Sequence, residues 1–188
     1  AQPLSMELVP PESAPIDQVD PAAASALHRL LVVHRTQPDL PASVDLRAFD
    51  RVELCGEEEQ ARSLARAMIC SAVTFHNPDQ LIVAVLSADD SLEHWDWIKW
   101  LPHLQHPTRT DGAGEVRMFA TSSADLARVA DGATAGDTAP THVIMVTDGA
   151  GGSAASVAPG ARTTTIELTG QRERPRRIDS GVAVLAVA

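Results

Sequence analysis

Two continuous apolar runs constrain this chain more than any other feature of its sequence. Residues 81–86 read LIVAVL, and residues 143–147 read VIMVT. A strand that is apolar at every position has to be covered on both faces, which is typical of parallel strands between layers of helices. Both runs are far shorter than the roughly 18 apolar residues of a membrane-spanning helix. They therefore predict an α/β fold with a mostly parallel sheet and flanking helices.

Segments with strand and helix patterns alternate around these two runs. Further strands are expected at residues 49–55, 116–120, 163–168 and 182–187, and helices at residues 60–75, 91–104 and 122–129. The last two strands are expected to close the edge of the sheet. Such alternation implies parallel strands joined by right-handed crossovers, with binding sites at the carboxyl ends of the strands. Functional side chains are therefore expected at those ends.

The first 43 residues differ from the rest of the chain. Five prolines fall within residues 1–21 and predict an extended arm. Asp20 before Pro21 has the pattern of a helix N-cap followed by a first-turn proline, which predicts a helix up to Arg35. We expect residues 1–43 to form an arm and a first helix that pack on a single α/β domain, residues 44–188.

The charge balance argues against some classes of partner. The 188 residues carry 15 Lys and Arg against 25 Asp and Glu, a formal net charge of -10, which repels nucleic-acid phosphates and anionic lipids. We therefore expect no nucleic-acid binding and no membrane insertion by this segment. Two cysteines, Cys55 and Cys70, are too few for a disulfide framework and favour a reducing cytoplasm. The chain starts at Ala1 without a secretory signal, and we expect it to be a segment of a longer polypeptide.

The segment after the first predicted strand has the spacing of a phosphate-binding loop. The pattern G-x-x-x-x-G-K-[ST] starts at Gly56 and ends at Ser63, but Ala61 replaces the second glycine and Arg62 replaces the lysine. An intact loop directs backbone N–H groups and a helix N-terminus at phosphates, while its hydroxyl binds magnesium. Here three glutamates, residues 57–59, occupy the loop interior. Their carboxylates take the place of an anion at the helix N-terminus and repel a triphosphate.

A second signal lies at the end of the second apolar run. Asp148 follows that run, in the position of an aspartate near the magnesium of a bound nucleotide. Together, Gly56, Arg62, Ser63 and Asp148 predict a degenerate nucleotide site on a P-loop NTPase-like scaffold. Two interpretations stay open: a site that has lost hydrolysis, and a nucleotidase that uses Arg62, Ser63 and Asp148. On structural grounds alone, Arg62 would instead pair with Glu58 at a helix start.

Three tryptophans cluster at positions 95, 97 and 100. If this segment is helical, Trp97, Trp100 and Leu101 share one face. Large aromatic side chains of this kind either fix a helix to the core or form an interface, where tryptophan is over-represented. Trp95, Trp97 and Trp100 are therefore candidate interface residues of a docking module for a substrate or partner.

Two further clusters are less specific. His94, His103 and His106 lack the spacing of a metal site, so we expect capping or surface roles for them and no metal. The basic run at residues 172–177 is typical of a solvated loop, and the other interpretation is a docking surface for an acidic partner.

Five short motifs carry a resemblance to a known family. They read SVDLRAF (43–49), ARSLARAM (61–68), TFHNPD (74–79), WDWIKWLPH (95–103) and GEVRM (114–118). In these motifs the chain resembles the EccC family, the FtsK/SpoIIIE-type ATPases of actinobacterial type VII (ESX) secretion. The similar part of that family is the domain between its amino-terminal membrane helices and its first ATPase domain.

The resemblance implies a particular place in a larger assembly. It implies a membrane-anchored protein, with this domain on the cytoplasmic side of the inner membrane. It also implies partners: the other domains of the same ATPase, the membrane components of a hexameric complex, and WXG100-type substrates. ATP and magnesium belong to the downstream domains, and none is expected here. The expected function is therefore non-hydrolytic, a domain that couples the membrane part of an export motor to its ATPase domains.

Overall fold

A computed structural model of the chain describes residues 20–34, 43–135, 142–149, 162–170 and 181–186. In these ranges the α-helices are α1 (Pro21–Val33), α2 (Glu58–Phe75) and α3 (Ser123–Val129). The strands are β1 (Arg51–Cys55), β2 (Leu81–Ser87), β3 (Gln105–Asp111), β4 (Gly114–Arg117), β5 (Phe119–Ala120), β6 (His142–Asp148), β7 (Arg162–Gly170) and β8 (Val182–Ala186).

The chain divides into two compact units, Ala1–Val44 and Asp45–Ala188. Helix α1 belongs to the first unit and starts as predicted, because the Asp20 carboxylate accepts a hydrogen bond from the backbone N–H of Ala22 (2.9 Å). The packing of residues 1–43 on the α/β domain stays a prediction. In the part of the chain that is described, no helix combines the length and the apolar character needed to cross a membrane.

Six strands of the second unit form one sheet in the order β5-β2-β6-β7-β1-β8, and all neighbouring pairs are parallel. This confirms the predicted α/β class with a mostly parallel sheet and flanking helices. Strands β2 and β6 pair along their whole length, from Leu81 opposite His142 to Ser87 opposite Asp148. Both strands therefore end at the same level, at the carboxyl edge of the sheet.

The apolar runs are continuous because each face of the sheet has its own core. Leu81, Val83 and Val85 belong to the cluster that packs against α2 and Trp95. The alternate residues of β2 belong to the cluster that contains Leu126 of α3. Each fully buried side chain of this kind contributes about 1.5 to 3 kcal/mol to folding.

The position of β7 differs from the sequence prediction. Strand β7 was expected at the sheet edge, but it lies between β6 and β1, and only β8 lies at the edge. The three threonines at 163–165 make β7 look half-polar, yet Thr164 and Ile166 are completely buried. The Thr164 hydroxyl is satisfied there, because it donates to the carbonyl oxygen of Leu46 (2.7 Å).

The helical state predicted for residues 91–104 is confirmed, but the α-helical period used for the tryptophans is wrong. Asp89–Trp100, which we call the Trp-rich segment, forms consecutive 3-10 turns, and a further 3-10 turn follows at Pro102–Leu104. With three residues per turn, Trp95 and Ile98 lie in one row, and both are fully buried. Trp97 and Leu101 pack partly against the same core, whereas Trp100 is 79% exposed. The predicted common face of Trp97, Trp100 and Leu101 is therefore also wrong.

The predicted strand at 116–120 divides into two. Strand β4 pairs antiparallel with β3 in a separate two-stranded sheet, while β5 joins the main sheet beside β2. Strand β3 escaped prediction because its sequence, QHPTRTD, is polar and contains a proline. Residues 1–19 of the predicted arm and the basic run at 172–177 lie outside the described residues.

Candidate functional site at the carboxyl edge

Asp148 is the centre of the candidate site. It ends β6, and its relative exposure is only 3%. Gly149 then turns the chain with a φ of 69°, and a Cβ at this position would lie 3.2 Å from the Cβ of Ala88. Gly56 follows β1, so it lies at the same carboxyl edge of the parallel sheet.

The partner of Asp148 is Arg62 of helix α2. The Arg62 Nε donates to Asp148 Oδ2 (2.8 Å), and its Nη2 lies 3.4 Å from Oδ1. The side chains are 12% and 5% exposed, so this two-bonded ion pair is shielded from water. The hydrogen bond to Asp148 raises the pKa of Arg62 above its ordinary value, against the opposing effect of burial. The guanidinium therefore stays charged throughout the physiological pH range.

Two residues of the Trp-rich segment complete this cluster. The Trp95 Nε1 donates to Asp148 Oδ2 (2.8 Å), and the Ser91 hydroxyl accepts from Arg62 Nη2 (3.2 Å). The Asp148 carboxylate is thus bonded from two elements of its own chain. From the sequence, Trp95 was predicted to be an interface residue, and Ser91 was not predicted to be part of the site. The two residues are four positions apart, and only the observed 3-10 turns bring both side chains to the Arg62–Asp148 pair.

Two of the three glutamates before Arg62, Glu58 and Glu59, belong to the helix and not to a loop. Helix α2 starts at Glu58, two residues earlier than predicted, so only Gly56 and Glu57 connect it to β1. The expected pair is confirmed, since Glu58 Oε2 lies 3.4 Å from Arg62 Nη2. Carboxylates in a first helical turn are favourable at the positive end of the helix dipole.

Ser63 is placed differently from its neighbour Arg62. It is exposed, whereas Arg62 turns inward to Asp148. One residue corresponds to about 100° around an α-helix, which separates the two side chains. Of the four predicted site residues, the structure brings Arg62 and Asp148 into contact and leaves Ser63 on the outer surface of α2.

The three tryptophans have three different environments. Trp95 is buried in the core, and the buried Nε1 of half-exposed Trp97 has no hydrogen-bond partner among the described residues. Trp100 exposes 79% of its surface. Of the predicted interface residues, Trp100 is thus the one best placed to meet a partner.

Of the capping or surface roles expected for the histidines, His103 and His106 take the first, because each buried ring bonds to backbone groups. His103 is buried and bonds through Nε2 to the carbonyl oxygen of His76 (2.8 Å). His106 is also buried, and its Nδ1 accepts from the backbone N–H groups of Thr108 (3.2 Å) and Arg109 (3.0 Å). Both rings hold loops in place. Among the described residues, no group of three or more potential ligands is arranged to hold a metal ion.

The fold and this edge define the class of protein: an α/β domain with a mostly parallel sheet, consistent with a P-loop-like domain. No family model matches the chain. It is 35% identical over 157 residues to the ESX secretion system protein EccC of Thermomonospora curvata. The alignment covers 79% of this chain and 12% of that protein.

Two relatives from Mycobacterium tuberculosis (strain ATCC 25618 / H37Rv) give a similar result. Identity is 35% over 160 residues to the ESX-4 secretion system protein EccC4, covering 79% of this chain and 13% of the relative. The ESX-1 secretion system protein EccCa1 is also 35% identical over 175 residues, and the alignment covers 92% of this chain and 23% of the relative. Homologues over most of the chain are therefore EccC proteins of ESX secretion systems, and the chain spans less than a quarter of the length of each.

Proposed function

We propose that this chain is a non-hydrolytic domain of an EccC-type protein in a type VII secretion system. The observation that carries this proposal is the Arg62–Asp148 pair at the carboxyl edge of the sheet. In an active P-loop enzyme, the aspartate at this position serves the magnesium of the nucleotide. Here its carboxylate is already bonded to a guanidinium and an indole of the same chain.

The residues of this edge fit magnesium and a triphosphate poorly. The two-residue connection between β1 and α2 is too short to wrap a phosphate in backbone N–H groups. Glu57 and the first-turn carboxylates of Glu58 and Glu59 place negative charge at the N-terminus of α2, where a phosphate would bind. Two like charges 4 Å apart repel by about 1 kcal/mol in water and about 4 kcal/mol near a protein surface. We therefore derive no chemical step through a bound nucleotide.

The relatives support a role in ESX secretion. We propose that the domain lies on the cytoplasmic side of the inner membrane and couples the membrane part of the motor to downstream ATPase domains. Its partners would be those domains and the membrane components of a hexameric complex. The degenerate FtsK/SpoIIIE-type site fits such a role, because a coupling domain needs the shape of a motor domain without its chemistry.

Calorimetric titration of the chain with Mg-ATP tests the proposal. We expect no heat of binding at micromolar nucleotide, because Arg62 occupies the carboxylate that magnesium requires. The double variant Glu58→Gln/Glu59→Gln is the matched control: it removes two repelling charges but keeps Arg62 on Asp148, and it should also fail to bind. Tight binding by the natural chain, with phosphate release that Arg62→Ala or Asp148→Ala abolishes, would establish the nucleotidase alternative instead.

A further inference from the structure

The Trp-rich segment and the turn after it contact both the candidate site and the residue that follows α2. Near its start, Ser91 and Trp95 bond to the Arg62–Asp148 pair. Beyond its end, His103 bonds to the carbonyl oxygen of His76 (2.8 Å), the residue that follows α2. Helix α2 starts at the carboxyl edge and returns the chain to the start of β2, so the two contacts tie the segment to opposite ends of α2.

We propose that the hydrogen bond between Trp95 and Asp148 is a latch, and that its release loosens the far end of the Trp-rich segment, where Trp100 is exposed. This inference deepens the proposed coupling function and rests on it. It names the element through which a change at the degenerate site reaches a surface that a partner can contact.

The segment depends on such a contact because its own backbone hydrogen bonds stabilise it only weakly. Hydrogen bonds in 3-10 turns have poorer geometry than those of an α-helix, and runs longer than three or four residues are uncommon. The segment spans 12 residues, and no side chain caps its start. Its position is therefore set by packing and by contacts to other elements.

Trp95 supplies a buried contact of this kind to a charged group. Its ring is completely buried beside a carboxylate that is 3% exposed, and a hydrogen bond to a charged acceptor is stronger there than in water. The other buried indole N–H of the segment, that of Trp97, has no partner in the part of the chain that is described. Trp95 is thus the one indole that ties the segment to the candidate site.

Amide hydrogen exchange in the full chain tests the latch. Trp95→Phe removes the N–H donor and keeps a large ring in the core. The readouts lie at the far end: the amides of Leu101 and Leu104, which donate to Ile98 (2.9 Å) and to the Leu101 carbonyl (3.1 Å). We expect their exchange to accelerate about tenfold, since loss of one charged hydrogen bond lowers the cost of local opening.

Asp148→Asn is the second latch variant, and it should accelerate the same two amides. Leu126→Ala is the matched control, because Leu126 is buried in the cluster on the other face of the sheet. Unchanged exchange of Leu101 and Leu104 in both latch variants would overturn the inference. So would equal acceleration in Leu126→Ala, compared at the same loss of unfolding free energy, because the loosening would then be global.

This result is separable from the test of the proposed function. Binding of Mg-ATP with phosphate release by the natural chain would refute the non-hydrolytic role and leave the exchange result standing. Unchanged exchange would remove the latch and leave the absence of nucleotide binding unaffected.

Discussion

At the scale of single residues, the Arg62–Asp148 pair differs from the surface ion pairs of the same chain. Breaking a buried pair leaves an uncompensated charge, whereas exposed pairs contribute little. Asp148→Asn should therefore lower the free energy of unfolding by about 2 to 4 kcal/mol, which urea denaturation measures. Asp96→Asn is the matched control. Asp96 pairs with Lys99 at 2.6 Å, but both side chains are largely exposed, so its loss should cost no more than about 0.5 kcal/mol. Equal costs for the two variants would contradict this account of the site.

His142 gives the molecule a pH dependence away from the candidate site. It starts β6, is buried, and bonds through Nε2 to the Thr164 hydroxyl (2.9 Å). Burial lowers its pKa to about 4, assisted by the positive charges of Arg47 and Arg162 and by His76, while Asp45 opposes the shift. The neutral ring is therefore the form that the folded chain holds.

The sign of the effect follows from this lowered pKa. Between an ordinary histidine pKa of about 6.5 and the folded value, the unfolded chain binds a proton that the folded chain does not. Stability should thus fall as the pH drops through this window, by about 3 kcal/mol in total, and the loss is complete below the folded pKa. Urea denaturation at several pH values measures the free energy of unfolding as a function of pH. This free energy should change less steeply with pH in His142→Gln than in the natural chain. Identical slopes would show that His142 does not titrate in this way.

At the scale of elements, the sequence predicted what periodicity controls and missed what tertiary contacts control. The continuous apolar runs identified β2 and β6 as strands. The phosphate-loop spacing singled out Arg62 and the end of β6 singled out Asp148, and the structure places these two side chains in contact. The central position of β7 was not predicted, because a threonine in the sequence indicates a partly exposed strand. In the structure Thr164 is buried, and its hydroxyl donates to a backbone carbonyl in the core. Side-chain patterns do not reveal bonds of that kind.

The Trp-rich segment shows the same limit in another form. Its apolar positions fit a helical period well enough to predict a helix, but the observed turns have three residues each. That change turns Trp95 into the core and Trp100 outward. The roles of Trp95 and Ser91 at the site followed from this geometry and were beyond reach of the sequence.

At the scale of the whole molecule, the chain has an α/β fold consistent with a P-loop-like domain, and the Asp148 carboxylate at its candidate site is bonded to side chains of the same chain. The formal charge of -10 adds a general repulsion of nucleotides to the local one. The relatives are several times longer than this chain, so the proposed domain would act as one part of a larger machine. Loss of nucleotide chemistry at one domain is compatible with export that other domains energise.

The most direct test of the central claim is an NMR titration with Mn-ATP, in which the paramagnetic ion broadens nearby signals. The chain has three tryptophans, and the indole N–H of Trp95 lies next to Asp148, where the metal of a bound nucleotide would sit. We predict that the Trp95 indole signal keeps its intensity at millimolar Mn-ATP, because the Asp148 carboxylate is bonded to Arg62 and does not bind the manganese. Selective broadening of the Trp95 signal, with that of exposed Trp100 unchanged, would contradict the account.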